Sequence, residues 1–308
     1  MQSTEMSRPF TGKSLRAIAC LALVSLSACG AGAPAPASPQ ASAAAPSASS
    51  ALAGAQGGAS EPRELKLSTD YFGAERVHGG IAIYDTQNAD LACTNRSLCN
   101  EQRLPASTFK IVNSIIALET GVIDDAETKL PWDGKQYSVP EWNQDNTLRS
   151  AVRVSCVPCF QAIARKIGTE RLRDWVTRLD YGNHDIAGTP DRFWLDGALR
   201  VTPLQQIDFL RRFDGGKLPI SARTLEIVRD VLTLDVGPDF VLRGKTGSVM
   251  PPQDPMEAGW FVGWVERGDR RVFFATLIDS HEADVDVLPV RRLITERVLR
   301  ELQVLPAR

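Results

Sequence analysis

Ser107 and Lys110 stand three positions apart in the only S-x-x-K of the chain, directly after Pro105-Ala106. Where a helix opens, residues i and i+3 lie on one face, so a lysine amine there can reach the serine hydroxyl and draw off its proton. The start of a helix also offers partial positive charge and free N–H groups where an oxyanion would form. The same four residues also suit a plain helix N-cap serine with a surface lysine. Lys245-Thr246-Gly247 is the only K-T-G. It falls at the end of a predicted strand, where it can present a backbone N–H, a hydroxyl and a cation to an anionic ligand. Ser155-Cys156-Val157 sits at a predicted helix start, and Tyr181-Gly182-Asn183 follows a predicted helix.

The elements that must position these residues are legible at low resolution. Gly79-Gly80-Ile81-Ala82-Ile83-Tyr84-Asp85 reads as a β-branched strand bounded by glycine. The helix that opens at 105–107 carries Phe109, Val112, Ile115, Ile116 and Leu118 at apolar positions, with Gly121 where a C-terminal glycine belongs. Helices are expected at 156–167, 170–179, 203–213 and 222–232, strands at 240–245, 260–266 and 271–278, and a closing basic amphipathic helix at 289–302. The last two strands join through a tight Gly268-Asp269 turn. One early strand and three late strands therefore bracket a mostly helical insert. Short connections between the late strands imply an antiparallel sheet, covered by the terminal helices, with a helical subdomain beside it and the reactive cleft between them.

The chain has 308 residues and a hydrophobic fraction of 43%, enough for a sizeable core. Its 35 basic and 37 acidic residues leave a formal net charge of -2, which gives no electrostatic case for a nucleic-acid partner. Only three histidines are present, His78, His184 and His281, which argues against a His-rich metal site or a Ser-His-Asp hydrolase. No metal is expected.

Residues 1–28 read as a targeting segment. Lys13 and Arg16 precede a short apolar run that ends in Leu26-Ser27-Ala28-Cys29. This ending resembles the lipobox of bacterial lipoproteins, with Cys29 as the acylated residue; a plain secretory signal is the alternative. Residues 29–62 are almost wholly Ala, Ser, Pro, Gly and Gln, with too little apolar mass to offset ordering, and are expected to be a disordered tether ahead of a domain at 63–308. The expected location is the periplasm, on the outer membrane through Cys29, with no other membrane contact. In that oxidising compartment Cys93 and Cys99 are expected to pair across Thr94 to Leu98. Cys156 and Cys159 lie in an apolar helical stretch and are expected to be buried packing residues.

S-x-x-K, S-x-V, Y-G-N and K-T-G in that order resemble the class D, oxacillinase-type, serine β-lactamases. The stretches LPASTFKIV from Leu104, LETGV from Leu118, RFWLDG from Arg192 and GWFVGWV from Gly259 carry the same resemblance. It covers roughly residues 79 to 300. It implies a β-lactamase/transpeptidase-like fold of the α/β (α+β) kind and hydrolysis of penicillin-type antibiotics through an acyl-serine, conferring antibiotic resistance. In that resemblance Ser107 is the nucleophile. Lys110 is the general base as N6-carboxylysine, with CO2 or bicarbonate as the only small-molecule requirement. Ser155 relays protons. Lys245, Thr246, Gly247 and Ser248 bind substrate, with the N–H groups of Ser107 and Ser248 as the oxyanion hole. Arg291 takes the drug carboxylate and Trp142 lines the entrance. Trp194 donates to the carbamate, with Val157 and Leu195 as its apolar roof. A long-lived acylated β-lactam sensor, a penicillin-binding transpeptidase and a noncatalytic envelope lipoprotein are the alternatives. Substrate preference and oligomeric state are not legible in the chain.

Overall fold

The computed structural model describes residues 61–249, 257–280, 282 and 284–307. The targeting segment, the tether and Cys29 lie outside the described residues. Among the described residues nine strands run in chain order: β1 (Arg63–Glu64), β2 (His78–Asp85), β3 (Asp90–Cys93), β4 (Lys129–Leu130), β5 (Asn146–Thr147), β6 (Thr233–Val236), β7 (Val241–Val249), β8 (Glu257–Arg267) and β9 (Arg270–Ser280). The helices are α1 (Tyr71–Ala74), α2 (Arg96–Cys99), α3 (Lys110–Glu119), α4 (Leu148–Arg153), α5 (Val157–Ile167), α6 (Thr169–Arg178), α7 (Pro203–Asp214), α8 (Ala222–Val231) and α9 (Val287–Glu301). A 3-10 turn, Ala106–Phe109, leads into α3.

The main sheet has the order β1-β3-β2-β9-β8-β7-β6, and β4 pairs with β5 apart from it. All neighbours in the main sheet are antiparallel except β1 and β3, which makes it a mixed sheet. The five strands absent from the sequence expectation, β1, β3, β4, β5 and β6, are two to four residues long. Segments that short show no period of alternation for a sequence reading to detect.

Alternation along the two central strands builds two apolar layers. Trp260, Val262 and Trp264 of β8, with Phe273, Ala275 and Leu277 of β9, pack toward α3, α5 and α7. Phe261 and Val265 of β8, with Val272, Phe274 and Ile278 of β9, pack toward Val287, Ile294 and Val298 of α9. Successive side chains of a strand point to opposite faces, so a strand apolar at nearly every position must be covered on both.

K-T-G lies inside β7 rather than at its end, because β7 continues to Val249 alongside β8. The run Gly244-Lys245-Thr246-Gly247-Ser248 has Thr246 as its only strand-favouring residue, and pairing to Trp260 and Val262 extends the strand where propensity would stop it. A disulfide joins Cys93 to Cys99 around α2. Cys156 and Cys159, expected as packing thiols, are bonded to each other across the first turn of α5. The helical period places these two residues on one face, a contact that packing considerations alone do not distinguish from a bond.

Candidate active site

The 3-10 start of the helix is what brings nucleophile and base together. In a 3-10 turn the side chains at i and i+3 eclipse, and Lys110 Nζ donates to Ser107 Oγ at 2.7 Å. The turn begins with Ala106 at φ 47°, a left-handed residue whose N–H donates to Trp194 O at 3.0 Å. Thr108 closes it by donating Oγ1–H to Pro105 O at 2.7 Å, and Gln206 of α7 donates to Thr108 Oγ1 at 2.9 Å. Ser107 remains half-buried, open enough for a ligand to reach.

Lys110 is only 1% exposed, with Nζ 5.4 Å from the Phe160 ring centre. Burial, and secondarily the charge of Lys245, push its amine well below the ordinary lysine range. Trp194 is stacked on Phe109, ring centres 5.3 Å apart, and Phe193 meets both edge-on. Trp194 Nε1 is buried without an acceptor among the described residues. A donor left unpaired in this way costs about 1–3 kcal/mol, so it calls for an acceptor.

The Trp194 segment is fixed by Y-G-N. Asn183 Nδ2 donates to Ala198 O at 3.0 Å, and Arg200 N donates to Asn183 Oδ1 at 2.9 Å. Gly182 has φ 63°, and a Cβ there would lie 2.3 Å from Arg200 O. The motif is thus a clasp on the loop that carries Trp194. Tyr181 itself is buried, edge-on to Phe109 and Phe209, with burial raising its phenol far above neutrality, so it acts as a wall.

Period-2 alternation in β7 divides the remaining groups. Lys245 faces the helical layer, where its Nζ donates to Ser155 Oγ and to Thr246 O, each at 3.0 Å. Gly247 points the same way, and a Cβ there would stand 3.1 Å from Pro105 O and 3.2 Å from Thr108 N, so a glycine lets β7 lie against the Ser107 turn. Ser248 faces α9, where Arg291 Nη1 donates to Ser248 Oγ at 2.6 Å and to Gly247 O. Lys245 and Thr246 line a cavity of about 630 Å³ together with Thr147, Ser150, Arg153 and Thr233. Val157 and Leu195 are half-buried, and Leu195 packs against the core that holds Phe109. Trp142 is half-buried, with its indole N–H tied to Val154 O at 3.0 Å.

Burial, and secondarily Arg291, depress the Lys245 amine to about 7. Between that value and the unfolded-chain value near 10.4 the unfolded state holds a proton the native state lacks, so native stability falls by about 1.4 kcal/mol per unit as pH drops through this window. Below about 7 both states are protonated and the loss is complete. Lys245→Met should therefore lose hydrolysis but melt higher than the parent at pH 6, by an amount on the order of a few kcal/mol, with the gap closing toward pH 10. Thermal melts at the two pH values check this; a gap independent of pH would refute it.

The structure gathers Ser107, Lys110, Ser155, Lys245, Thr246, Gly247, Ser248, Trp194 and Arg291 around the junction of the 3-10 turn, the α4–α5 loop and β7. Sequence reasoning missed Gln206, which holds the turn from 98 residues away, and Phe160, the floor under Lys110. Phe160 had a signal, since it shares the apolar face of α5 with Ile163, Ala164 and Ile167 at i+3, i+4 and i+7; Gln206 had none.

Residues 73–299 match the penicillin binding protein transpeptidase domain. The chain is 36% identical over 257 residues to β-lactamase OXA-48 of Klebsiella pneumoniae, covering 83% of this chain and 96% of that protein. Its fold superposes on the crystal structure of the class D β-lactamase YbXI from Nostoc with a TM-score of 0.73 and 44% identity, covering 77% of this chain and 98% of that one. The C-terminal domain of the Bacillus licheniformis BlaR penicillin-receptor superposes with a TM-score of 0.72 and 32% identity, covering 77% and 94%.

Proposed function

Because this chain belongs to the class D serine β-lactamases, we propose that it opens the lactam ring of penicillins through an acyl-Ser107 intermediate, with Lys110 as N6-carboxylysine. The observation that carries this reading is the pairing of a buried amine whose pKa burial pushes well below the ordinary lysine range, hydrogen-bonded to Ser107 Oγ at 2.7 Å, with a Trp194 N–H that has no partner among the described residues. A neutral amine can add CO2 with release of a proton to solvent, and the resulting carbamate would supply a carboxylate-like base and acceptor at the Lys110 terminus. The Trp194 indole and the Ser107 hydroxyl are donors suited to an anion there, which an apolar pocket would otherwise disfavour.

Ser107 Oγ releases its proton toward the Lys110 side chain as it bonds to the lactam carbonyl carbon. The backbone N–H groups of Ser107 and Ser248 stabilise the oxyanion. Ser155, accepting from Lys245 at 3.0 Å, passes a proton to the departing lactam nitrogen. Arg291 and Thr246 orient the drug carboxylate, for which a planar guanidinium provides matched donors. Water then attacks the acyl carbonyl, its proton drawn off at the Lys110 end, and Ser107 is regenerated.

A second reading rests on the BlaR likeness: acylation at Ser107 without release of product. Steady-state turnover of a chromogenic cephalosporin and of a penicillin separates the two. Many product equivalents per protein are expected from the hydrolase, and a single stoichiometric burst from a receptor.

A further inference from the structure

Ser155 stands in a conformation that L-residues avoid, with φ 53°. Left-handed backbone costs about 1–2 kcal/mol and persists only where the surroundings enforce it. Before Ser155, Trp142 clamps Val154 O through its indole N–H at 3.0 Å. After it, Cys156 is fully buried, donates its N–H to Ala151 O at 2.9 Å and forms the N-cap of α5.

The helices α4 and α7 open with hydrogen-bonded capping boxes, Thr147 with Ser150 and Thr202 with Gln205. In each, the N-cap residue and the third helical residue satisfy one another's backbone N–H groups. At α5 the same two positions are Cys156 and Cys159, and they are joined by a disulfide. Cys159 N–H also points at Cys156 Sγ, 3.2 Å away, and Pro158 between them contributes no N–H. The first turn of α5 is thus closed by a covalent bond one residue after the serine that accepts from Lys245.

We propose that the Cys156–Cys159 disulfide is a covalent capping box that positions Ser155 for proton transfer. The two cysteines touch no reacting atom and act through Ser155, so this inference rests on the relay role assigned to Ser155 above. Breaking the bond frees the α5 N-cap, releases the left-handed residue toward ordinary backbone and lengthens the Lys245–Ser155 contact. Substrate binding through Arg291 and Thr246 is left in place, because those groups sit on β7 and α9.

The test uses the full chain with and without dithiothreitol, a dithiol that gives two electrons and two protons to the bond and leaves as its cyclic disulfide. Reduction should lower kcat for a penicillin about ten-fold while KM moves less than about two-fold, as expected for a misplaced proton-transfer group. Alkylation followed by mass spectrometry on peptides reports whether Cys156 and Cys159 have become thiols. The Cys156→Ala/Cys159→Val variant should show the lowered kcat from the outset and no response to the reagent, which separates this bond from Cys93–Cys99. In Ser155→Ala, already slow, reduction should change nothing further, since two changes acting through one group are not additive. Full kcat in protein whose Cys156 and Cys159 are alkylated would overturn the proposal, as would full kcat in the double variant. A further ten-fold loss on reducing Ser155→Ala would also overturn it, since the bond would then act by another route. If the bond resists the reagent the double variant decides, and if the double variant does not fold the reduced parent decides. Should Ser155→Ala itself keep its rate, the relay assignment fails instead, which is a distinguishable result.

Discussion

Ser107→Ala should lower steady-state hydrolysis of a penicillin by ~10⁴-fold or more, the scale seen when a covalent nucleophile is removed from a serine hydrolase. No neighbour can stand in. Thr108 Oγ1 is committed to Pro105 O and Gln206, and Ser155 lies at the Lys245 side of the site. The fold should survive, because Ser107 is half-buried and among the described residues its hydroxyl makes one hydrogen bond, with Lys110. Losing one hydrogen bond of about 1 kcal/mol shifts Tm by roughly 2–4 °C in a domain of this size. The variant should therefore melt close to the parent and show no penicillin adduct in intact mass spectra. An adduct on any other serine would sink the assignment.

Lys110→Ala should be the next most damaging change, with a loss of ~10²–10⁴-fold, the range for removing a general base. The sharper expectation concerns CO2. The Lys110 amine is pushed well below its ordinary range by burial and by Lys245. Above its lowered value the amine is neutral and can add CO2, and as pH falls through that value it takes a proton and cannot. Activity should fall on acidification and in degassed buffer, and return when bicarbonate is added. Trp194→Ala, which removes the unpartnered indole donor, should raise the bicarbonate concentration needed for half-recovery and slow deacylation more than acylation. Carbon-13 NMR with labelled bicarbonate should show one carbamate resonance that Lys110→Ala lacks. Full activity in bicarbonate-free buffer without that resonance would mean that Lys110 works as a free amine.

These expectations rely unequally on sequence and on structure. Ser107 and Lys110 were legible because their relation is local: three residues within one turn determine which side chains meet, and no distant segment is needed. The paired motifs gave the family by their order along the chain, and the long apolar strands β8 and β9 announced themselves by composition. Helix ends were legible to within a residue or two, since Gly121 and the capping residues act where they stand.

What the chain alone left undecided depends on long-range contact. The short strands β1, β3 and β6 exist only because a longer neighbour supplies their hydrogen bonds, and K-T-G is mid-strand only because β8 pairs past it. Trp194 reaches Phe109 through a loop clasped by Asn183, and that its N–H has no acceptor among the described residues follows only once every neighbour is in place. Cys156 and Cys159 are the two ends of a common four-residue spacing in the sequence; the capping geometry of α5 joins them in one bond beside the left-handed Ser155. The physical reason is the same throughout. Periodicity and spacing encode interactions that one segment can make with itself, whereas burial, pairing and depressed lysine pKa values arise from which other segments exclude water around it.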